Sequence, residues 1–302
     1  MNAAAQPETQ SRGSRTNGAV GWLPLPLLFT LALWLGRQFP PWLYMWTIAF
    51  AIYFGLKWLT WWRVRSEVTH TAARSAAYLL AWPGMDAAAF LNSSRPPKPK
   101  FAQWAWALAK TTMGTLLLWE CAHRVPTTWP LLQGWIGLLG LILILHFGSF
   151  ELIALGWQTL GVQAQPIMQE PLASRSLSEF WGKRWNLGFR QLSHEFIFQP
   201  LHSVIGARWA MLLVFLFSGL IHESVISVPA RGGYGLPTAY FLLQGLGVLL
   251  ERSRAGRIFH LQGGFSGWAF MAVVTAVPAF WLFHPAFVLR VALPFMKVIR
   301  AI

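Results

Sequence analysis

The sequence predicts an all-α polytopic membrane protein, with about seven to nine transmembrane helices and further interfacial or re-entrant amphipathic helices. Three observations carry that expectation. Hydrophobic residues fill 55% of the 302 positions and charged residues only 11%, where a soluble domain would carry about a quarter charged; mean hydropathy is +0.44. Several apolar runs reach about 18 residues, enough to cross a bilayer. Nineteen Trp residues, several near the ends of those runs, suit the aromatic belts of a membrane interface.

Residues 1–18 are polar, lack the apolar run of a cleavable signal, and read as a disordered cytoplasmic lead. Residues 19–302 read as one integral-membrane domain without an internal repeat. A first span is expected at about 20–35, broken by Pro24 and Pro26, and a second at 42–62, with Lys57 placed to snorkel. The stretch 76–91 is interrupted by Trp82-Pro83-Gly84-Met85-Asp86 and is too short to span, so it reads as interfacial or re-entrant. Further spans follow at about 104–119, weakened by Lys110, and at 131–146, with 147–162 a further span or a tilted extension. The last clear spans are 211–228, 236–250 and 268–283, and the tail at 285–302 is one more span or an interfacial helix.

The net charge of +14 invites a nucleic-acid reading, but the distribution of the charge speaks for a membrane. Lys and Arg gather in the lead, the loops at 63–100 and 162–208, and the turn at 252–257, whereas the opposite turns hold only Arg37, Arg124 and Arg231. By the positive-inside rule the N-terminus and the basic loops are cytoplasmic. No nucleic-acid partner is expected; membrane lipids are. The single Cys121 excludes a disulfide framework and a cysteine metal cluster. His222-Glu223 and His194-Glu195 each lack the second His of a zinc protease helix, and no metal site is expected. No Ser stands in a G-x-S-x-G frame, and Gly245 and Gly247 lack the rest of a dinucleotide fingerprint.

Two segments carry chemistry. The span MLLVFLFSGLIHESVISV at 211–228 places His222 and Glu223 near its middle. Ser218 lies one turn before His222, and Gly219 and Ser227 lie one turn either side of Glu223, so the polar residues form one stripe. An ionisable group at membrane depth costs about 2.5–3.5 kcal/mol and usually faces a protein interior. On this stretch alone, a structural histidine bonded to a neighbouring helix competes with a functional one. The second segment, SLSEFWGKRWNLGFRQLSHEFIFQPL at 176–201, opens with Ser176 and Glu179 as a capping box. Its apolar stripe includes Leu177, Phe180, Trp181, Trp185 and Phe189, opposite a face with Lys183, Asn186 and Arg190. It reads as an amphipathic helix at the cytoplasmic interface, whose cations would meet either lipid headgroups or a phosphorylated substrate.

Phe180-Trp181-Gly182-Lys183-Arg184-Trp185-Asn186, followed downstream by Ser218-Gly219-Leu220-Ile221-His222-Glu223, resembles the paired motifs of the membrane-bound O-acyltransferases, in their wax-synthase-like branch. Lys183 stands where the family motif has an arginine and still offers a point charge to phosphate. Trp82–Asp86 and Leu250-Glu251-Arg252 are similar to wax-synthase sequences as well. The resemblance implies an acyltransferase-like domain over 19–302 that joins a fatty acyl group from acyl-CoA to the hydroxyl of a lipid alcohol, making wax esters. Acyl-CoA would be a co-substrate and no cofactor would be bound. The membrane would be the inner membrane of a bacterium or the endoplasmic reticulum of a eukaryote.

The same resemblance implies His222 as general base, a role worth about 10²–10⁴-fold, and Asn186 as amide donor to the thioester carbonyl or oxyanion, unless it caps a helix. Lys183, Arg184 and Arg190 would meet CoA phosphates, and Trp181 and Trp185 would pack the helix or line an acyl tunnel. Ser218 would bond back to its helix or hold His222. Glu223 could orient His222 only through a partner, since adjacent helical positions diverge by about 100°. Two alternatives stand beside this reading. One keeps the chemistry and changes the acceptor to a sterol, diacylglycerol or another hydroxyl. The other is a proton-coupled transporter using His222 and Glu223, although inverted repeats of the transporter kind are not visible.

Overall fold

The computed structural model describes residues 20–302, so the expectation for 1–18 lies outside the described residues. The described chain is helical, with no strand among its elements. Thirteen helical elements, several continuing through a wider turn, position the site. Four helices are long and apolar enough to cross a bilayer: Val20–Gln38, Pro130–Thr159, Ala207–Ala230 and Gly264–Leu282. The chain is a membrane protein.

Prolines start many of the helices, because the first turn has no internal partner for the amide that proline lacks. Helix α1 (Pro24–Leu35) and α2 (Pro41–Val64) begin this way and pack as a hairpin. Helices α3 (Ala72–Ala81) and α4 (Ala87–Leu91) are short, as expected for the interrupted stretch, and are capped by Thr71 and Asp86. Between them the Trp82–Asp86 turn lies over α2. Lys57 therefore does not snorkel: it is fully buried, its Nζ donates to the Gly84 carbonyl at 2.6 Å, and it stands 3.3 Å from the centroid of the Tyr78 ring.

Helix α5 (101–124) crosses α6 (Pro130–Thr159), and Lys110 of α5 is paired with Glu151 of α6. Helix α6 runs unbroken for 30 residues, or about 45 Å at 1.5 Å per residue. The mixed stretch 147–162 is thus an extension of one helix rather than a second span. After the loop at 160–175 come α7 (177–184), α8 (187–205), α9 (Ala207–Ala230), α10 (Leu236–Arg252), α11 (Arg254–Ile258), α12 (Gly264–Leu282) and α13 (285–298). Helix α13 is too short to span, and its Val288, Val291 and Met296 are buried against Leu118 of α5 and Leu138 of α6.

The expected single helix at 176–201 is interrupted. Asn186 has φ 41°, a left-handed conformation that Asn tolerates better than most residues. Helix α7 ends before it and α8 starts after it. Gly206, with φ 80°, then turns the chain from α8 into α9, so that α7, α8, α9 and α10 surround one interior space.

Candidate active site

The loop and caps around Asn186 set its geometry. Ser176 accepts a bond from the Glu179 amide at 3.1 Å, as the capping box requires. Glu179 closes the box one residue early, accepting from the Arg175 amide at 2.8 Å, and also holds Arg184 Nε at 2.7 Å. The Arg175 amide, and after it the Arg184 guanidinium, hold the Glu179 carboxyl below its ordinary range. Glu251 Oε2 accepts from the Ser178 amide, and Arg252 Nε donates to the Ser178 hydroxyl. The Leu250–Arg252 stretch therefore grips the start of α7.

From Phe180 to Arg184 the backbone widens into i→i+5 bonding, a turn type that recurs at functional sites. Loop residues then fasten the next corner: the Gln169 amide donates to the Arg184 carbonyl, and the Leu187 amide to the Ile167 carbonyl, both at 2.8 Å. Asn186 sits between these bonds. Its Oδ1 accepts from the Phe189 amide at 3.2 Å, capping α8. Its Nδ2 makes no hydrogen bond to another described residue. The expected donor role and the competing cap role thus fall on different atoms of one side chain.

His222 ends the regular part of α9, where a second widened turn begins at Glu223. Its Nδ1 lies 2.7 Å from the Ser218 carbonyl. A carbonyl only accepts, so Nδ1 carries the hydrogen and the neutral ring keeps its lone pair on Nε2. The ring packs on Phe241 of α10, centroids 4.4 Å apart. That contact needs α9 and α10 to approach closely at Gly219, where a Cβ would come within 2.8 Å of Thr238 Cα.

Glu223 points elsewhere. Its carboxylate accepts from the Gly235 amide at 2.8 Å and from the Thr238 amide and hydroxyl at 3.3 and 2.9 Å. It satisfies the unpaired amides at the start of α10, where a negative charge is favourable.

His222 and Asn186 line the same cavity, of about 710 Å³, a size suited to a sizeable organic ligand. Trp181, Trp185, Arg190 and Ser218 line it too. The two tryptophans also pack: Trp185 stacks on Phe180 at 5.3 Å, and Trp181 meets Phe215 edge-on at 5.8 Å. Lys183, Arg184 and Glu223 do not line it. Lys183 is exposed, while Arg184 holds Glu179 and the carbonyls of Gln169 and Glu170. Sequence reasoning missed Arg208 and Arg252, which join Arg190 on the lining, and no acidic side chain lines the cavity among the described residues. His194 lines it as well, stacked on Phe198.

Residues 164–243 match the family described as Membrane bound O-acyl transferase. That segment holds Asn186, His222 and the Phe241 ring, while Arg252 lies beyond it. Several curated proteins align with part of the chain. The chain is 33% identical over 144 residues to the long-chain-alcohol O-fatty-acyltransferase of Simmondsia chinensis, covering 43% of this chain and 40% of that protein. It is 31% identical over 142 residues to the probable long-chain-alcohol O-fatty-acyltransferase 7 of Arabidopsis thaliana, covering 42% and 41%. It is 25% identical over 146 residues to the acyl-CoA–sterol O-acyltransferase 1 of Arabidopsis thaliana, covering 42% and 39%. The match spans about two fifths of the length of these relatives.

Proposed function

We propose that the chain is an O-acyltransferase that moves a fatty acyl group from acyl-CoA to the hydroxyl of a lipid alcohol, forming a wax ester. The observation that carries this reading is His222. Its Nδ1 is committed to the Ser218 carbonyl, its Nε2 is left to accept a proton, and it lines a cavity with an unspent Asn186 amide and three guanidinium groups. In the reaction Nε2 takes the proton of the alcohol as its oxygen attacks the thioester carbonyl. Asn186 Nδ2 donates to the oxyanion that forms. Collapse breaks the C–S bond, and the departing thiolate of CoA receives the proton from His222. A thioester is already activated, so no acyl-enzyme is needed. Arg190, Arg208 and Arg252 offer charge-assisted bonds to the CoA phosphates.

The basic loops and the N-terminus lie on the cytoplasmic side in this reading, and α2, α5 and α10 join the four apolar helices as spans, making seven. A sterol acceptor is the second reading, favoured by the sterol acyltransferase among the relatives. A proton relay through a His222–Glu223 pair is disfavoured, because Glu223 is tied to the start of α10.

The test is ester formation by the purified protein with labelled acyl-CoA and a panel of long-chain primary alcohols, sterols and diacylglycerol. Ester with a primary alcohol, lost in His222→Ala, is the expected result. Ester with sterol alone would move the acceptor to the second reading. Full activity in His222→Ala would overturn the mechanism.

A further inference from the structure

Gln244 is a fully buried amide in the middle of α10 that the reaction above does not use. It falls on the stripe of α10 that faces the cavity: Phe241, Val248 and Arg252 line that space at helical spacing on either side of it. Gln244 itself does not line the cavity, and its side chain meets Trp181 instead. A buried polar group without bonds costs about 1–3 kcal/mol, so an amide here calls for partners. It has two.

One partner belongs to α12. Pro278 carries no amide, so the Val274 carbonyl one turn earlier lacks its helical donor. Gln244 Nε2 donates to that carbonyl at 2.8 Å. One turn earlier on α10, the Tyr240 hydroxyl donates to the Thr275 carbonyl at 3.1 Å. Two side chains of α10 thus repair the break in α12, and for that task a donor alone suffices. Gln244 adds an acceptor. A carbonyl only accepts, so Nε2 is fixed on Val274 and Oε1 is left for a donor. It accepts from Trp181 Nε1 at 3.3 Å.

The indole held in this way is a wall of the site. Trp181 lines the cavity and meets Phe215 and Phe241 with ring centroids at 5.8 and 5.7 Å, and Phe241 packs on His222 at 4.4 Å. Along α10, Phe241 lies about 16 Å from Arg252 at 1.5 Å per residue. The aromatic corner is therefore at the His222 end of the cavity, away from Arg208 and Arg252.

We propose that Gln244 is a positioning residue: by holding the Trp181 indole it fixes the width of the cavity beside His222, and so sets how broad an acyl chain the site accepts next to the thioester. The inference rests on the acyl-transfer reading above. With the phosphates of the donor at the arginines and its thioester at His222, the first carbons of the acyl chain are the part of the substrate that meets these rings. A tied indole keeps one rotamer, whereas an untied one can swing and admit a branch.

The test compares straight-chain and 2-methyl-branched acyl-CoA on the full-length protein. Gln244→Met keeps the length of the side chain and removes both polar atoms. It should lower the kcat/KM preference for the straight chain about three- to tenfold, the range that one hydrogen bond sets. Tyr240→Phe removes the neighbouring tie to α12 and should leave that preference unchanged, which a merely structural role of the α10–α12 contact would not. In a Trp181→Phe background, which has no indole nitrogen, Gln244→Met should change the preference no further. If Gln244→Met folds poorly, adding Pro278→Ala returns an amide for the Val274 carbonyl and leaves only the Trp181 bond missing, and the same loss of preference is expected. An unchanged preference in the folded Gln244 variant, an equal change in Tyr240→Phe, or a further change in the Trp181→Phe background overturns the proposal while acyl transfer by the wild type stands. Absence of acyl transfer in the wild type would instead overturn the function on which it rests.

Discussion

The lysines held inside the first half of the molecule and the polar groups lining the cavity in the second are treated in opposite ways. In the first half, basic side chains inside the helical bundle are closed off: Lys57 is capped by the Gly84 carbonyl and the Tyr78 ring, and Lys110 is paired with Glu151. In the second half, polar atoms around the cavity are only partly spent. Asn186 uses Oδ1 and keeps Nδ2, His222 uses Nδ1 and keeps Nε2, and Arg190 and Arg208 have no acidic partner among the described residues. A polar group with every bond made holds the fold together. A group held by one atom and free at another is positioned for a ligand, and the cost of leaving it open is the reason to look there first.

The sharpest way to break that contrast is His222. His222→Gln should lower kcat by about 10²–10⁴-fold, with a melting temperature only modestly below wild type because one hydrogen bond to Ser218 and one ring contact with Phe241 are at stake. Loss of folding with loss of activity would make His222 a closed, structural group like Lys57. The reverse behaviour is expected at Lys110. Lys110→Met leaves Glu151 uncompensated and should cost about 3–5 kcal/mol, read as a large drop in melting temperature. Adding Glu151→Gln should recover most of it. A stable Lys110→Met single variant would show that the first half tolerates an open charge.

Asn186 tests both behaviours in one residue. Asn186→Asp keeps an oxygen to cap α8 and a side chain that accepts the left-handed backbone, but it removes Nδ2. The melting temperature should barely move while kcat falls about 10²–10³-fold, the usual worth of an oxyanion donor. Asn186→Gly retains the backbone freedom and loses the cap as well, so it should lose only about a few tenths of a kcal/mol of stability besides. Equal activity in Asn186→Asp and wild type would reduce Asn186 to a cap.

What was legible in the sequence follows the same division. Apolar runs announced the helices, because hydrophobic length is a property of contiguous residues. Asn186 and His222 stood out because each interrupts an apolar pattern inside a recognisable motif. The break at Asn186 was hidden, since the bonds that fix it come from the 167–169 loop. Arg208 and Arg252 were absorbed into the positive charge of the basic loops, and only the folding of α9 and α10 beside α8 brings them to the cavity. Spacing did indicate that Glu223 turns away from His222, but its partners at Gly235 and Thr238 lie across a turn.

The smallest effect is expected at Glu179, one of the closed carboxylates of the second half. Its folded-state pKa is depressed below 4.5 by the Arg175 amide first and the Arg184 guanidinium second. A depressed carboxylate contributes stability that is present above its unfolded value and is lost as pH falls through the folded one. Acid should therefore loosen the 175–186 turn, and with it the mounting of Asn186, before the apolar helices respond. Hydrogen exchange of peptides covering that turn, corrected for the intrinsic rate, should show protection falling as pH drops below the ordinary carboxylate range. Glu179→Gln should be less protected at neutral pH and nearly flat across the same range. Equal slopes in the two proteins would mean that the turn is held by the Ser176 cap and the loop bonds at Ile167 and Gln169 alone. Glu179 would then stand with Arg184 as a surface pair of little consequence.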